Sequence, residues 1–92
     1  MINQCFTFHT DPGHGWLEVT TSQLKELGLK TDDFSNYSYR SGNNVYLEED
    51  CDANKFLVAY KKKYHKYPAC LEKHTNRDSF VRELPPIWME VN

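Results

Sequence analysis

The stretch DANKFLVAYKKKYHKY (residues 52–67) carries the clearest periodicity in the chain and does most to decide the fold. At about 100° per residue, its apolar and aromatic side chains fall within an arc of about 100°, the width of a helix face that packs on a core. The residues on this face are Ala53, Phe56, Leu57, Tyr60, Tyr64 and Tyr67. Asp52 suits an N-cap and Pro68 cannot continue a helix. The pattern therefore predicts a helix over about residues 52–66.

Upstream of this helix, two pairs of segments have the composition of β-hairpins. The first pair is interrupted by Pro12 and Gly13, and the second by Gly42 and Asn43, residues that suit tight turns and positive φ angles. The predicted strands, with their turns, are residues 2–9 and 16–19 around 10–15, and residues 37–40 and 45–47 around 41–44.

A short helix is predicted between the two hairpins, over about residues 21–27. If Thr20 is its N-cap, Gln23 stands three positions later and completes a capping box. Gly28 followed by Leu29 is typical of a Schellman ending, in which Leu29 packs back on Leu24.

The residues after the long helix predict two more strands, over 69–74 and 79–82, and an extended tail over residues 83–92. The resulting order is β-β-α-β-β-α-β-β. It favours an α+β fold in which two helices pack on a mostly antiparallel sheet built from hairpins. At 92 residues, one domain spanning residues 1–92 is expected.

The composition restricts the classes of function. Eleven basic and thirteen acidic side chains give a net charge of −2, which argues against a general polyanion binder. The sequence contains neither a signal peptide pattern nor an apolar run long enough for a membrane helix, so we expect a cytoplasmic protein without a membrane partner. Cys5, Cys51 and Cys70 include no C-x-x-C pair, so neither a disulfide framework nor a zinc knuckle is expected.

Several strings of the sequence resemble those of a family of small uncharacterised proteins encoded by bacteriophages, plasmids and other bacterial mobile elements. The strings are FTFHTDPGHGWLEV (6–19), YSYR (37–40), VYLEEDCDA (45–53), FLVAY (56–60) and NRDSFVR (76–82). The resemblance covers about residues 5–82 and implies a bacterial cytoplasm and a mobile-element origin. Because no activity is known for that family, the resemblance assigns no role to any residue.

The first turn contains a possible metal site. His9, Asp11 and His14 could supply three ligands to a divalent cation and leave a position for water, with Glu48 or Glu49 as a base for hydrolysis. The alternatives are a structural loop, because Asp-Pro-Gly is a common turn sequence, and a loop that contacts a partner.

Further candidate binding residues lie outside the first turn. Trp16 could anchor a partner or belong to the core. The acidic run Glu48, Glu49 and Asp50 could bind a cation or imitate phosphate, or could complement the dipole of the following helix. The complete set of candidate binding residues is His9, Asp11, His14, Trp16, Tyr39, Glu48, Glu49 and Asp50.

The end of the long helix is basic. Lysines interleaved with tyrosines there are typical of nucleic-acid surfaces, but lysines on a solvated helix end explain the same pattern without a ligand. The lysines concerned are Lys61, Lys62, Lys63 and Lys66.

The leading hypothesis is a non-enzymatic binding protein that modulates or inhibits a host or element-encoded macromolecule. Its motivation is small size, abundant Tyr and Trp, and the absence of a P-loop, a dinucleotide fingerprint or a nucleophile motif. The mobile-element resemblance adds the expectation of an inhibitor of a host enzyme or defence system. A metal-dependent hydrolase and a nucleic-acid-contacting accessory protein are the alternatives. No cofactor is assigned, and exposed strand edges are compatible with a homodimer.

Overall fold

The computed structural model describes residues 4–89, which contain five of the six predicted strands and both predicted helices. In chain order they are β1 (Cys5–Thr10), β2 (Gly15–Thr20), α1 (Thr21–Glu26), β3 (Tyr39–Ser41), β4 (Asn44–Glu48), α2 (Ala53–Tyr64) and β5 (Ala69–His74). Two short 3-10 helices, Thr31–Asp33 and Phe80–Glu83, lie in the connecting and C-terminal segments. Residues 2–3 of the predicted first strand and residues 90–92 of the predicted tail lie outside the described residues.

The strands form one sheet in the order β3-β4-β2-β1-β5. Three of its four pairings are antiparallel, and β5 alone runs parallel to its neighbour β1. The predicted α+β fold, with two helices and a mostly antiparallel sheet, is confirmed.

The prediction of a strand at residues 79–82 is wrong, and in the part of the chain that the structure describes β5 therefore has no antiparallel hairpin partner. Instead, Ser79 accepts a hydrogen bond from the Val81 N–H and begins the 3-10 helix Phe80–Glu83. The carboxylate of Asp11 holds this helix in place, because it accepts hydrogen bonds from the Ser79 N–H and from the Arg82 side chain. The segment therefore lies against the β1–β2 turn and does not extend the sheet.

The main core lies on the face of the sheet that carries the helices. Because side chains alternate along a strand, β2 and β4 each direct two apolar residues to this face. The buried residues of this core are Phe6, Leu17, Val19, Leu24, Phe34, Val45, Leu47, Ala53, Phe56, Tyr60 and Ile87. Each fully buried large aliphatic or aromatic side chain contributes about 1.5–3 kcal/mol relative to exposure, so this cluster dominates the stability.

Helix α2 buries the face that its periodicity predicts, but it ends earlier than predicted. Its last helical residue is Tyr64, because His65 adopts a left-handed conformation (φ 64°) and its N–H bonds to the Lys61 carbonyl. Tyr67 therefore lies beyond the helix and is exposed, contrary to its predicted place on the core face. Asp52 precedes the helix as predicted, but its side chain makes no capping hydrogen bond.

Helix α1 has both predicted ends. The Thr20 hydroxyl accepts from the Gln23 N–H (3.1 Å) and the Gln23 side chain accepts from the Thr20 N–H (2.8 Å), which completes the capping box. Gly28 has φ +73°, and the Leu29 N–H bonds to the Leu24 carbonyl at 2.9 Å, as a Schellman motif requires.

On the other face of the sheet, here called the second face, the C-terminal segment packs over β2, β3 and β4. Trp16, Tyr46 and Val81 form a second buried cluster, against which Tyr39 and Leu84 pack. The three cysteines are free and exposed. Within residues 4–89, no helix has the length and apolar character needed to cross a membrane.

Candidate functional site

The turn between β1 and β2 is organised by the buried carboxylate of Asp11. One oxygen, Oδ1, accepts the N–H groups of Gly13 (3.0 Å) and His14 (2.9 Å), which shapes the turn locally. The other, Oδ2, accepts the Ser79 N–H at 2.9 Å. Arg82 donates to both oxygens, at 2.6 and 2.9 Å. Asp11 therefore joins the turn to the C-terminal segment.

The Asp11–Arg82 pair remains ionised over a wide pH range. The Arg82 guanidinium, helped by the backbone N–H donors, holds the pKa of Asp11 far below its ordinary value of 3.8, although burial opposes this shift. The Asp11 carboxylate in turn raises the pKa of Arg82. Both oxygens of Asp11 are occupied within the protein, so this carboxylate acts structurally.

The lowered pKa of Asp11 predicts an acid-sensitive fold. Folding favours the ionised carboxylate, so its stabilisation is complete above about pH 5 and is lost progressively as the pH falls through the ordinary pKa of 3.8 toward the lower pKa of the folded state. We expect the urea midpoint of the wild type to drop between about pH 5 and about pH 3. The Asp11→Asn variant should have a lower midpoint at neutral pH and a flatter acid profile. Parallel profiles for the two proteins would contradict this role of Asp11.

His9 is separated from the other candidate metal ligands. Its Nε2 lies 2.6 Å from Glu18 Oε1 on the second face of the sheet. Its ring packs edge-on against Tyr46 and Phe80, with centroid distances of 5.6 and 5.3 Å. Because His9 pairs with Glu18 and Asp11 pairs with Arg82, the structure does not bring these two residues together with His14 as metal ligands.

His14 lies instead beside the acidic turn that follows β4. The antiparallel register pairs Trp16 with Glu48, so the residue before β2 meets the residues after β4. A hydrogen bond from the Glu49 N–H to the Gly15 carbonyl, at 2.9 Å, holds the two turns together. One ligand atom from each of His14, Glu48, Glu49 and Asp50 lies within 4.8 Å of those of the others.

Glu48 is the buried member of this group, with 4% of its surface exposed. Its Oε1 accepts the N–H groups of Asp50 (3.0 Å) and Cys51 (2.9 Å). Its backbone N–H donates to the hydroxyl of Ser38, which donates to the buried carboxylate of Asp52. This network explains why Asp52 does not cap α2, and it fixes Glu48 firmly.

A cavity of about 130 Å³ lies next to Glu48 on the second face of the sheet. Trp16 forms one wall; it is 2% exposed, and its indole N–H donates to the Tyr37 carbonyl at 3.2 Å. The Arg82 guanidinium lies over the Trp16 ring, 5.3 Å from its centroid. The lining residues are His14, Trp16, Tyr37, Tyr39, Glu48 and Arg82.

The outer edge of β5 is a second candidate site. All six residues of β5 are exposed, and within residues 4–89 the strand pairs only with β1. Cavities of about 340 and 260 Å³ lie at its two ends, the first beside Pro68 and Ala69, the second beside Lys73 and His74.

Comparison of the chain with protein-family models, with curated proteins and with solved structures gave no match. The resemblance to mobile-element proteins therefore remains a prediction.

The structure separates the predicted binding residues into three groups. His14, Trp16, Tyr39 and Glu48 line one cavity, and Glu49 and Asp50 lie next to it. His9 and Asp11 form the third group, in which His9 pairs with Glu18 and Asp11 pairs with Arg82. Sequence reasoning missed Tyr37 and Arg82, the remaining residues of the cavity wall. For Arg82, the positive charge is the one signal in the sequence, since a charged residue needs an acidic partner when it is buried. The sequence does not identify Asp11 as that partner, because the two residues are 71 positions apart.

The lysines at the end of α2 are exposed, and two of them have partners within the chain. Lys63 Nζ donates to the Glu26 carbonyl at 2.7 Å. Lys61 Nζ lies over the Tyr67 ring, 5.2 Å from its centroid. These contacts agree with lysines on a solvated helix end, and nucleic-acid binding stays a prediction.

Proposed function

We propose that this chain is a non-enzymatic binding protein that adds an extended segment of a partner protein to the open edge of β5. The observation that carries this proposal is the edge itself: six consecutive exposed residues with a strand neighbour on one side only among the described residues. Unpaired backbone groups along such an edge are a template for another strand.

The two edges of the sheet differ in a way that supports this proposal. At the β3 edge, the strand has three residues, and the Arg40 N–H bonds to the Pro85 carbonyl at 2.9 Å. Tyr39 also forms an isolated bridge with Pro86. The C-terminal segment thus blocks the β3 edge. No described segment covers β5, and β5 contains no proline or bulge that would prevent strand addition.

The direction of the backbone groups on β5 follows from one hydrogen bond. The Thr75 N–H, just after β5, donates to the Thr10 carbonyl of the neighbouring strand at 3.0 Å. Because backbone groups alternate in direction along a strand, the N–H groups of Cys70, Glu72 and His74 point to the outer edge. A partner strand would receive hydrogen bonds from these three residues.

The side chains around the edge offer both apolar and charged contacts. Leu71 is 62% exposed in the middle of the strand, and Phe80 is 52% exposed beside the cavity at its end. Glu72 and Lys73 are adjacent and opposite in charge. We therefore propose an extended partner segment that alternates apolar and charged residues. The resemblance to mobile-element proteins motivates a bacterial host or element-encoded protein as its source.

A single proline tests this proposal. Glu72→Pro removes an outward N–H and leaves the inward hydrogen bonds to β1 in place. One lost hydrogen bond, with its acceptor left unsatisfied, should weaken the complex by roughly tenfold or more. The assay is a tagged pull-down from bacterial lysate, followed by measurement of the dissociation constant of the captured protein for each variant.

Glu72→Ala is the matched control, because it removes the same side chain and keeps the N–H. The proposal requires a stoichiometric partner that wild type and Glu72→Ala capture and that Glu72→Pro loses. Equal capture by all three proteins would overturn it, as would the absence of any partner. A dimer that dissociates in Glu72→Pro would show that a second copy of this chain occupies the edge, in place of a different protein.

A further inference from the structure

The group formed by His14 and the turn after β4 lies away from the β5 edge and is independent of the function proposed above. Three carboxylates and an imidazole meet there because the register of β2 and β4 places the two turns side by side. Like charges so close together repel one another unless a cation lies between them. Acidic residues alone, however, do not make a site.

The independent observation is the state of Glu48 Oε2. This oxygen is buried and finds no hydrogen-bond partner among residues 4–89, although Oε1 of the same carboxylate has two. Buried carboxylate oxygens are ordinarily paired, and an unpaired one in a native protein points to a missing ligand. The nearest basic atom, His14 Nδ1, is 3.5 Å away, beyond the usual length of a hydrogen bond.

That distance fits two ligands of one metal ion. Metal–ligand bonds of about 2.0–2.2 Å in a tetrahedral site place neighbouring ligand atoms roughly 3.5 Å apart. Glu48 is fixed by its backbone donors, whereas His14, Glu49 and Asp50 are exposed and can rotate inward. The group thus contains one rigid ligand and three adjustable ones.

We propose that His14, Glu48, Glu49 and Asp50 bind one divalent transition-metal ion. A nitrogen ligand with several carboxylate oxygens suits Zn²⁺ and Mn²⁺, whereas Ca²⁺ and Mg²⁺ prefer oxygen alone. A cavity of about 300 Å³ lined by His14, Tyr37, Glu48, Asp50 and Cys51 opens beside the group. A bound ion would therefore be accessible to water or to a small anionic ligand.

The test is a titration of EDTA-treated, dialysed protein with ZnCl₂ and, separately, MnCl₂. Calorimetry measures the binding of Zn²⁺. The binding of Mn²⁺ is measured by the loss of the electron paramagnetic resonance signal of the free ion. Mn²⁺ is included because it has little affinity for the free cysteine thiols. We expect one ion per chain, tighter binding of Zn²⁺ than of Mn²⁺, and a Tm that rises with free metal concentration. Ca²⁺ should give a smaller rise in Tm.

Two variants locate the ion. His14→Ala removes an exposed side chain and leaves the fold intact, and Glu48→Gln replaces the buried ligand with an isostere of the same size. Each should weaken Mn²⁺ binding by at least about tenfold, because even outer-shell groups of metal sites have effects of that order. His74→Ala, an exposed imidazole outside the group, is the control and should bind as wild type does.

Undiminished Mn²⁺ binding in both His14→Ala and Glu48→Gln would overturn the proposal, and so would the absence of binding in wild type at millimolar metal. Neither result bears on the β5 edge, because Glu72→Pro and its partner are measured separately.

Discussion

Arg82→Ala is expected to lower the free energy of unfolding by about 3 kcal/mol, because it leaves the Asp11 carboxylate buried without its counter-charge. Breaking a buried pair typically costs about 3–5 kcal/mol, and the low end applies because the Arg82 side chain is one-third exposed. The loss also removes the contact of the guanidinium with the Trp16 ring. Urea unfolding at neutral pH, followed by circular dichroism, measures the effect.

Arg77→Ala is the matched control, since Arg77 is exposed in the same segment and should change stability by less than about 0.5 kcal/mol. A double-mutant cycle with Asp11→Ala measures the interaction free energy between Asp11 and Arg82 apart from their other contacts. The double variant should lose less stability than the sum of the two single variants. Additive losses, or similar effects of Arg82→Ala and Arg77→Ala, would show that the pair does not hold the C-terminal segment.

Trp16→Ala is expected to cost about 3–5 kcal/mol, the usual range for deleting a buried Trp or Phe side chain. Trp16 is 2% exposed and lies between Tyr39, with ring centroids 6.3 Å apart, and the Arg82 guanidinium. Its removal should open a cavity on the second face of the sheet and loosen the 3-10 helix Phe80–Glu83. Hydrogen exchange of the Val81 and Arg82 amides would record the loosening, and urea unfolding the stability.

Trp88→Ala provides the comparison, because the other tryptophan is 54% exposed and should alter stability by about 0.5 kcal/mol or less. Similar losses for the two variants would contradict the assignment of Trp16 to the core. The assignment has a practical consequence: a binding defect in Trp16→Ala would reflect loss of structure. His14→Ala is the better variant for examining this surface.

Local signals account for the elements that were predicted well. The capping box of α1 and its Schellman ending depend on residues three to five positions apart, and the interactions of Thr20 and Gly28 are set by their immediate neighbours. The apolar face of α2 is also a local pattern, since buried Phe56 and Tyr60 are four residues apart. Such signals can be read from the sequence because no distant contact is needed to form them.

The end of α2 and the C-terminal segment were predicted less well because distant contacts or backbone geometry determine them. Residues 79–82 have the composition of a strand, but hydrogen bonds to Asp11 hold them against the β1–β2 turn in a 3-10 helix. The parallel pairing of β5 with β1 is also invisible locally, because no sequence pattern in β5 distinguishes a parallel partner from an antiparallel one. Periodicity alone did not reveal that His65 would leave the helix.

The candidate sites show the same division. The acidic run and His14 were recognised as ligand types, but their meeting depends on the register that pairs Trp16 with Glu48 across two strands. Among the described residues, the Glu48 oxygen without a hydrogen-bond partner and the uncovered edge of β5 are properties of packing. Neither could be inferred from residue types.

The sequence by itself determined the α+β class, the positions of both helices and the first two hairpins, because hydrophobic period, caps and turn residues act over a few positions. Tertiary structure alone decided the partner of β5, the course of residues 79–87, and which polar side chains meet. These features depend on contacts between residues far apart in the chain, such as Asp11 with Arg82, whose free energy is gained only when the whole domain has folded.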